Sequence, residues 1–174
     1  MDIAQQTLKE HSKSNTDAVV EYIGRDPHKF AQLADLLLSG SFQEAQRAAW
    51  PFFNCAEADP TLILPYLDKL VEKLKDNSSH PAVKRSIFRS LQFVEIPETL
   101  QAPLLNICIE TLLNSKTPVA IKVFAMTVAY NIGRHEQALL NELRIIIEDQ
   151  MPYALPGFIS RGNKILKAME RSAY

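Results

Sequence analysis

Glycine and cysteine are both scarce in this chain, with five and two in 174 residues. So few glycines leave little material for the tight turns of a many-stranded β-protein, and no stretch shows sustained period-2 alternation. The two cysteines, Cys55 and Cys108, each sit inside an apolar helical pattern. They are read as reduced core residues in a cytoplasmic protein, not as a disulfide framework or a metal site. Excess positive charge is missing too: 19 Lys and Arg stand against 20 Asp and Glu, a net charge of −1. The whole-molecule basic field of a typical nucleic-acid binder is therefore absent, although a local basic patch stays open. No apolar run approaches membrane-spanning length; "RIIIEDQM" (144–151) is among the longest. The start, "MDIAQQTLKEHSKS", lacks a basic region followed by an apolar core, so no secretory signal is expected there.

Catalytic signatures are also missing. There is no phosphate-binding loop, GxGxxG, GxSxG or HExxH pattern. The four histidines, His11, His28, His80 and His135, are isolated, and none has a second ligand three or four residues away as a helix-borne zinc site requires. No cofactor and no metal are expected.

What is present is helix. Apolar residues make up 47% of the chain, and they recur at three- and four-residue steps. A chain of this length can bury roughly 70% of its unfolded surface without a staple. Helix starts are marked by Asp59 with Pro60, by Pro97 and by Pro118, and Gly133 is placed as a stop.

Sliding the chain by 38 residues superimposes its apolar positions. Ala45 meets Val83 and Ile121; Ala49 meets Ile87 and Ala125; Trp50 meets Phe88 and Met126. In the next helix, Leu67 meets Leu105 and Leu143, Val71 meets Ile109 and Ile147, and Pro65 meets Pro103. Even Glu72, Glu110 and Glu148 coincide. Each unit is thus a pair of amphipathic helices that must stack on its neighbours to bury its apolar faces. First helices are expected near 28–40, 60–75, 98–114 and 135–150, and second helices near 42–56, 82–94, 119–132 and 155–172. The repeats are expected at about 27–57, 58–95, 96–133 and 134–172 within one domain, with residues 1–25 forming one or two capping helices.

The second helices open on a small or branched apolar residue followed by a basic one: "AVKRSIFRSL" (82–91), "AIKVFAMTV" (120–128) and the weaker "AQRAAWPFF" (45–53). With Pro65 and Pro103 inside the first helices, this pattern resembles a HEAT-repeat, or HEAT-like, α-solenoid over about 145 residues. In the fourth unit the pair is lost, with Phe158 and Ile159 in its place. The resemblance implies an all-α, right-handed α-α superhelix whose second helices line a concave face. On that analogy Arg47, Lys84, Arg85, Arg89 and Lys122 lie along a moderately basic groove that Lys164 and Lys167 continue. Trp50 aligns with core positions, but Pro51 is expected to kink the helix and can expose a ring beside Arg47. Arg47, Trp50, Lys84, Arg85, Arg89 and Lys122 are therefore the candidate binding residues.

Such solenoids mostly serve as binding scaffolds, so a non-catalytic adaptor for a protein with an acidic or extended segment is expected. A nucleic-acid binder related to the DNA alkylation repair proteins is the alternative, although no aspartate falls in a groove position for glycosylase chemistry. A lyase of the adenylosuccinate lyase kind does not fit, because "DNSSHP" (76–81) is a six-residue turn and not a mobile signature loop. No membrane partner is expected, and a homodimer by end stacking stays open.

Overall fold

The computed structural model describes residues 1–172, and for Ser172 the backbone only. Among the described residues there are ten α-helices and no strand. The chain forms two compact units, Met1–Glu95 and Ile96–Tyr174. Their boundary falls at the join that the 38-residue register puts between two repeats.

In the first unit, α1 (Ile3–Lys9) and α2 (Lys13–Ile23) precede α3 (Pro27–Ser39) and α4 (Phe42–Ala58). A 3-10 turn over Pro60–Tyr66 leads into α5 (Leu67–Lys75), and α6 (Pro81–Leu91) follows. α3 packs on α4, α4 packs on α6, and α1 and α2 cover α4. Second helices therefore stack on second helices, which buries the stripe that the register marks. Ala45, Ala49, Val83, Ile87 and Leu91 are all buried, as are Phe30, Leu33 and Leu37 of α3. A buried Ser86 hydroxyl donates to the Ala49 carbonyl at 2.5 Å and ties α6 to α4.

Local sequence fixes the helix starts. Asp26 accepts the N–H groups of His28 and Lys29 at the head of α3, and the Lys29 amide is the main cause holding its carboxyl below the usual range. Ser41 and Glu44 form a reciprocal capping box on α4. His80 caps α6, its Nδ1 accepting the Ala82 N–H at 3.0 Å. Asp59 caps as expected, but the segment it opens is a 3-10 turn until Leu67. Pro60 and Pro65 both lie in that turn, and Pro65 has no N–H for an α-helical bond to the Thr61 carbonyl. α4, by contrast, runs unbroken through Pro51, which is itself buried.

The second unit comprises α7 (Glu98–Leu113), α8 (Val119–Gly133), α9 (Gln137–Gln150), a 3-10 turn at Met151–Tyr153 and α10 (Pro156–Ser172). α7 packs on α8, and α8 packs on both α9 and α10. Its core takes Leu104, Cys108 and Leu112 from α7, Ile121, Ala125 and Met126 from α8, Leu140, Leu143 and Ile147 from α9, and Phe158, Ile165 and Met169 from α10. Pro103 is accommodated inside α7. Gly162 is needed where α10 meets α9, because a Cβ there would sit 2.9 Å from the Ile147 Cγ2.

The first of the second helices, α4, differs from α6 and α8 at one core position of the register. Phe88 and Met126 are buried, whereas Trp50 keeps 37% of its surface exposed. Its ring stands edge-on to His11, 5.7 Å between centroids, in the α1–α2 connection. The capping segment thus supplies only part of the cover that a preceding repeat would give.

Candidate functional site

On α4, Arg47, Trp50, Asn54 and Glu57 fall at i, i+3, i+7 and i+10, a single stripe along the helix. All four are exposed or half-buried. On α6, Lys84 is half-buried, Arg85 exposed and Arg89 half-buried. α4 and α6 pack together, so one adjoining pair of helices in the first unit carries the four cations and Trp50.

The best-defined geometry lies at Arg89. Its guanidinium carbon stands 3.5 Å from the centroid of the Phe53 ring on α4, a cation–π contact. Phe53 lies 6.4 Å from Phe93, centroid to centroid, with the rings tilted by 31°. Phe53 is buried, while Phe93, just beyond α6, is 42% exposed. Burial lowers the pKa of Arg89, Glu57 opposes that shift, and neighbouring Arg85 adds to it. The Lys84 ammonium is likewise lowered by burial and favoured by Asp76. Asp76 is heavily committed elsewhere: it accepts from the hydroxyls of Ser78 and Ser79 and from Lys73, and its pKa lies far below the usual carboxylate range, chiefly through the Ser78 hydroxyl.

Five of the six candidate residues, Arg47, Trp50, Lys84, Arg85 and Arg89, thus lie on the adjoining helices α4 and α6 of the first unit. Lys122 is a correction. It belongs to the second unit, is 9% exposed, and donates to the Leu112 carbonyl at 2.7 Å and to the Gln150 Oε1 at 3.1 Å. Leu112 lies in the last turn of α7, where backbone carbonyls lack intrahelical partners and favour a cation, and the Gln150 side-chain amide stands at the end of α9. Burial lowers its pKa. The lysine is a clasp inside its own unit and not an exposed groove cation. Lys164 and Lys167 are exposed on α10.

One residue of the arrangement escaped the sequence reading, Phe93, whereas Phe53 stands in the aromatic run after Trp50, where a core place is expected and found. Phe93 stands four residues after Arg89, a spacing that marks a shared helix side. Nothing local pointed from Arg89 to Phe53, 36 residues away. The second unit also exposes apolar side chains that the reading passed over, with Tyr153 at 93% and Ile145 and Leu155 largely uncovered.

Among the described residues no group of three or more His, Cys, Asp or Glu is arranged to hold a metal ion. Burial pushes the thiol pKa of Cys55 up to about 12, and that of Cys108 higher still, so neither forms a reactive thiolate. The repeat-position acids pair locally: Glu72 accepts from Lys75 at 2.7 Å, and Glu148 lies 3.8 Å from Arg144. No described helix is long and apolar enough to cross a membrane.

A family model of the HEAT repeat domain matches residues 3–169. The chain belongs to the HEAT-repeat family, and its fold is of the all-α solenoid class. Proteins of this family are repeat scaffolds, generally non-enzymatic, that often mediate protein interactions. Comparison with curated proteins and with solved structures produced no match.

Proposed function

We propose that this protein is a non-catalytic scaffold or adaptor that binds a protein partner along the α4–α6 side of its first unit. An acidic or extended segment of the partner lies against Arg47, Trp50, Lys84, Arg85 and Arg89. The observation that carries this reading is the imbalance of charge on those two packed helices. Four cations of these helices face outward or half outward, and the carboxylate that favours charged Lys84, Asp76, is already engaged by Ser78, Ser79 and Lys73. Trp50 supplies the large, partly exposed ring typical of an interface anchor.

The test is retention of proteins from a nuclease-treated lysate of the protein's own cells. Wild type is compared with an Arg47→Glu/Lys84→Glu/Arg85→Glu variant of unchanged helicity. A protein held by wild type and lost by the variant is the expected result. Equal retention by both would remove the strip from the function. Retention of nuclease-sensitive material alone would replace a protein partner with nucleic acid.

A further inference from the structure

We infer that a second copy of this chain docks on the α9–α10 helix pair, the exposed stripe of α9 in one copy lying against the exposed stripe of α10 in the other. The surface belongs wholly to the second unit and is independent of the α4–α6 side.

Each helix buries one side and leaves the other open. α9 buries Leu140, Leu143 and Ile147, while Ala138, Glu142, Ile145 and Asp149 are all exposed. α10 buries Phe158, Ile165 and Met169, while Ser160, Lys164, Lys167 and Arg171 are all exposed. Both exposed sets advance by four, three and four residues. At 3.6 residues per turn those steps hold each set within an arc of about 60°, a straight stripe along its helix. The stripes carry opposite charge, and neither is neutralised at home. Glu142 and Asp149 make no ion pair among the described residues, and Lys164, Lys167 and Arg171 make none either. Glu148 is turned to Arg144 beside the α9 stripe, and Glu170 is the one carboxylate of α10. Between the two acids of α9 stands Ile145, 66% exposed, and the connection joining the two helices leaves Tyr153 and Leu155 open as well. A lysine stripe suits that pattern. Lys164 and Lys167 can lay their aliphatic stems over an isoleucine while their ammonium groups stay at the edge, within reach of the flanking carboxylates. Like stripes repel, so α9 selects α10 and not another α9.

The experiment is analytical ultracentrifugation of the full chain at low salt, read up to about 0.5 mM so that a submillimolar dissociation constant is detected. Wild type is expected to associate with rising concentration, and to do so less as salt screens the exposed pairs. Two charge-reversed variants, Glu142→Lys/Asp149→Lys and Lys164→Glu/Lys167→Glu, are each expected to stay monomeric, with circular dichroism reporting their folding. An equimolar mixture of the two is expected to associate again, because the basic α9 of one then meets the acidic α10 of the other. Ile145→Ser, a single exposed change that needs no charge reversal, is expected to weaken the wild-type association about tenfold. Four results would overturn the inference: a wild type that is monomeric throughout, a reversed variant that associates with itself as wild type does, a mixture of folded variants that stays monomeric, or unchanged association in Ile145→Ser. None of these bears on the α4–α6 side, whose charge-reversed variant leaves α9 and α10 untouched.

Discussion

Replacing Lys122 by Met keeps the aliphatic stem of the side chain and removes its ammonium. The bonds lost are those to the Leu112 carbonyl at 2.7 Å and to Gln150 at 3.1 Å. A bond from a charged donor contributes about 1.5–3 kcal/mol, and a buried acceptor left unpaired costs about 1–3 kcal/mol. Against this, methionine is spared the desolvation that lowers the pKa of the lysine. The balance is a net loss of about 2 kcal/mol. For a chain of this size that lowers Tm by about 4–8 °C. The comparison is Lys116→Met in the same unit, an exposed position where a change within about 0.5 kcal/mol is expected. Urea unfolding followed by circular dichroism measures both. Equal midpoints would mean that the ammonium is free in solution, and Lys122 would return to the set of binding cations. The pH dependence has a definite sign. Because the folded pKa is lowered, the unfolded chain binds more protons between that value and the ordinary lysine pKa of about 10.4. Stability attributable to Lys122 therefore rises with pH across that window, relative to the Met variant.

Three further outcomes follow from the same structure. Ile87→Ala, at a fully buried position on α6, is expected to cost about 2–5 kcal/mol by urea denaturation; a change under about 1 kcal/mol would mean that this face of α6 is not packed. Cys55, with its pKa pushed up to about 12, and Cys108 are expected to stay silent to a thiol reagent at neutral pH until denaturant is added; rapid labelling of the native protein would contradict their burial. Asp26, Glu44, Asp59 and Asp76 all have lowered pKa values, so the stability they contribute is present above the ordinary carboxylate range, near 4, and is lost as pH falls below it. A stability profile that stays flat from pH 5 down to pH 2 would refute those caps.

The helix pairs were legible because their signals are local and repeated. Val83, Ile87 and Leu91 recur at helical spacing and are buried, and Asp59 with Pro60 marks a start that the chain does use. The 38-residue register carried the starts of the second helices α4, α6 and α8 to within a residue, while α6 ends at Leu91, three residues before its expected end. It served the first helices less well: Leu105 stands at the register position of buried Leu67 and Leu143, yet it is half-buried and Leu104 takes the core place. The register also misled at Lys122. Its partner in the register, Lys84, is half-buried on the α6 side, but Lys122 has a carbonyl 10 residues before it and an amide 28 residues after it within reach. That environment is made by tertiary packing and leaves no mark near residue 122. The same holds for the Phe53–Arg89 stack, which joins two helices across 36 positions. Trp50 lay between these cases: its alignment pointed to the core, while its place in the first full repeat leaves it next to a cap that covers only part of the ring.

The most direct measurement of the central claim is site-specific crosslinking in cells. A photoreactive phenylalanine analogue would replace Trp50 on the first unit and, separately, exposed Ile145 on the second. A discrete adduct with another protein from position 50, absent from position 145 and lost when Arg85 and Arg89 are both changed to Glu, is the result predicted here. Adducts with other proteins in equal yield from both positions, or from position 145 alone, would contradict the assignment of partner binding to the α4–α6 side.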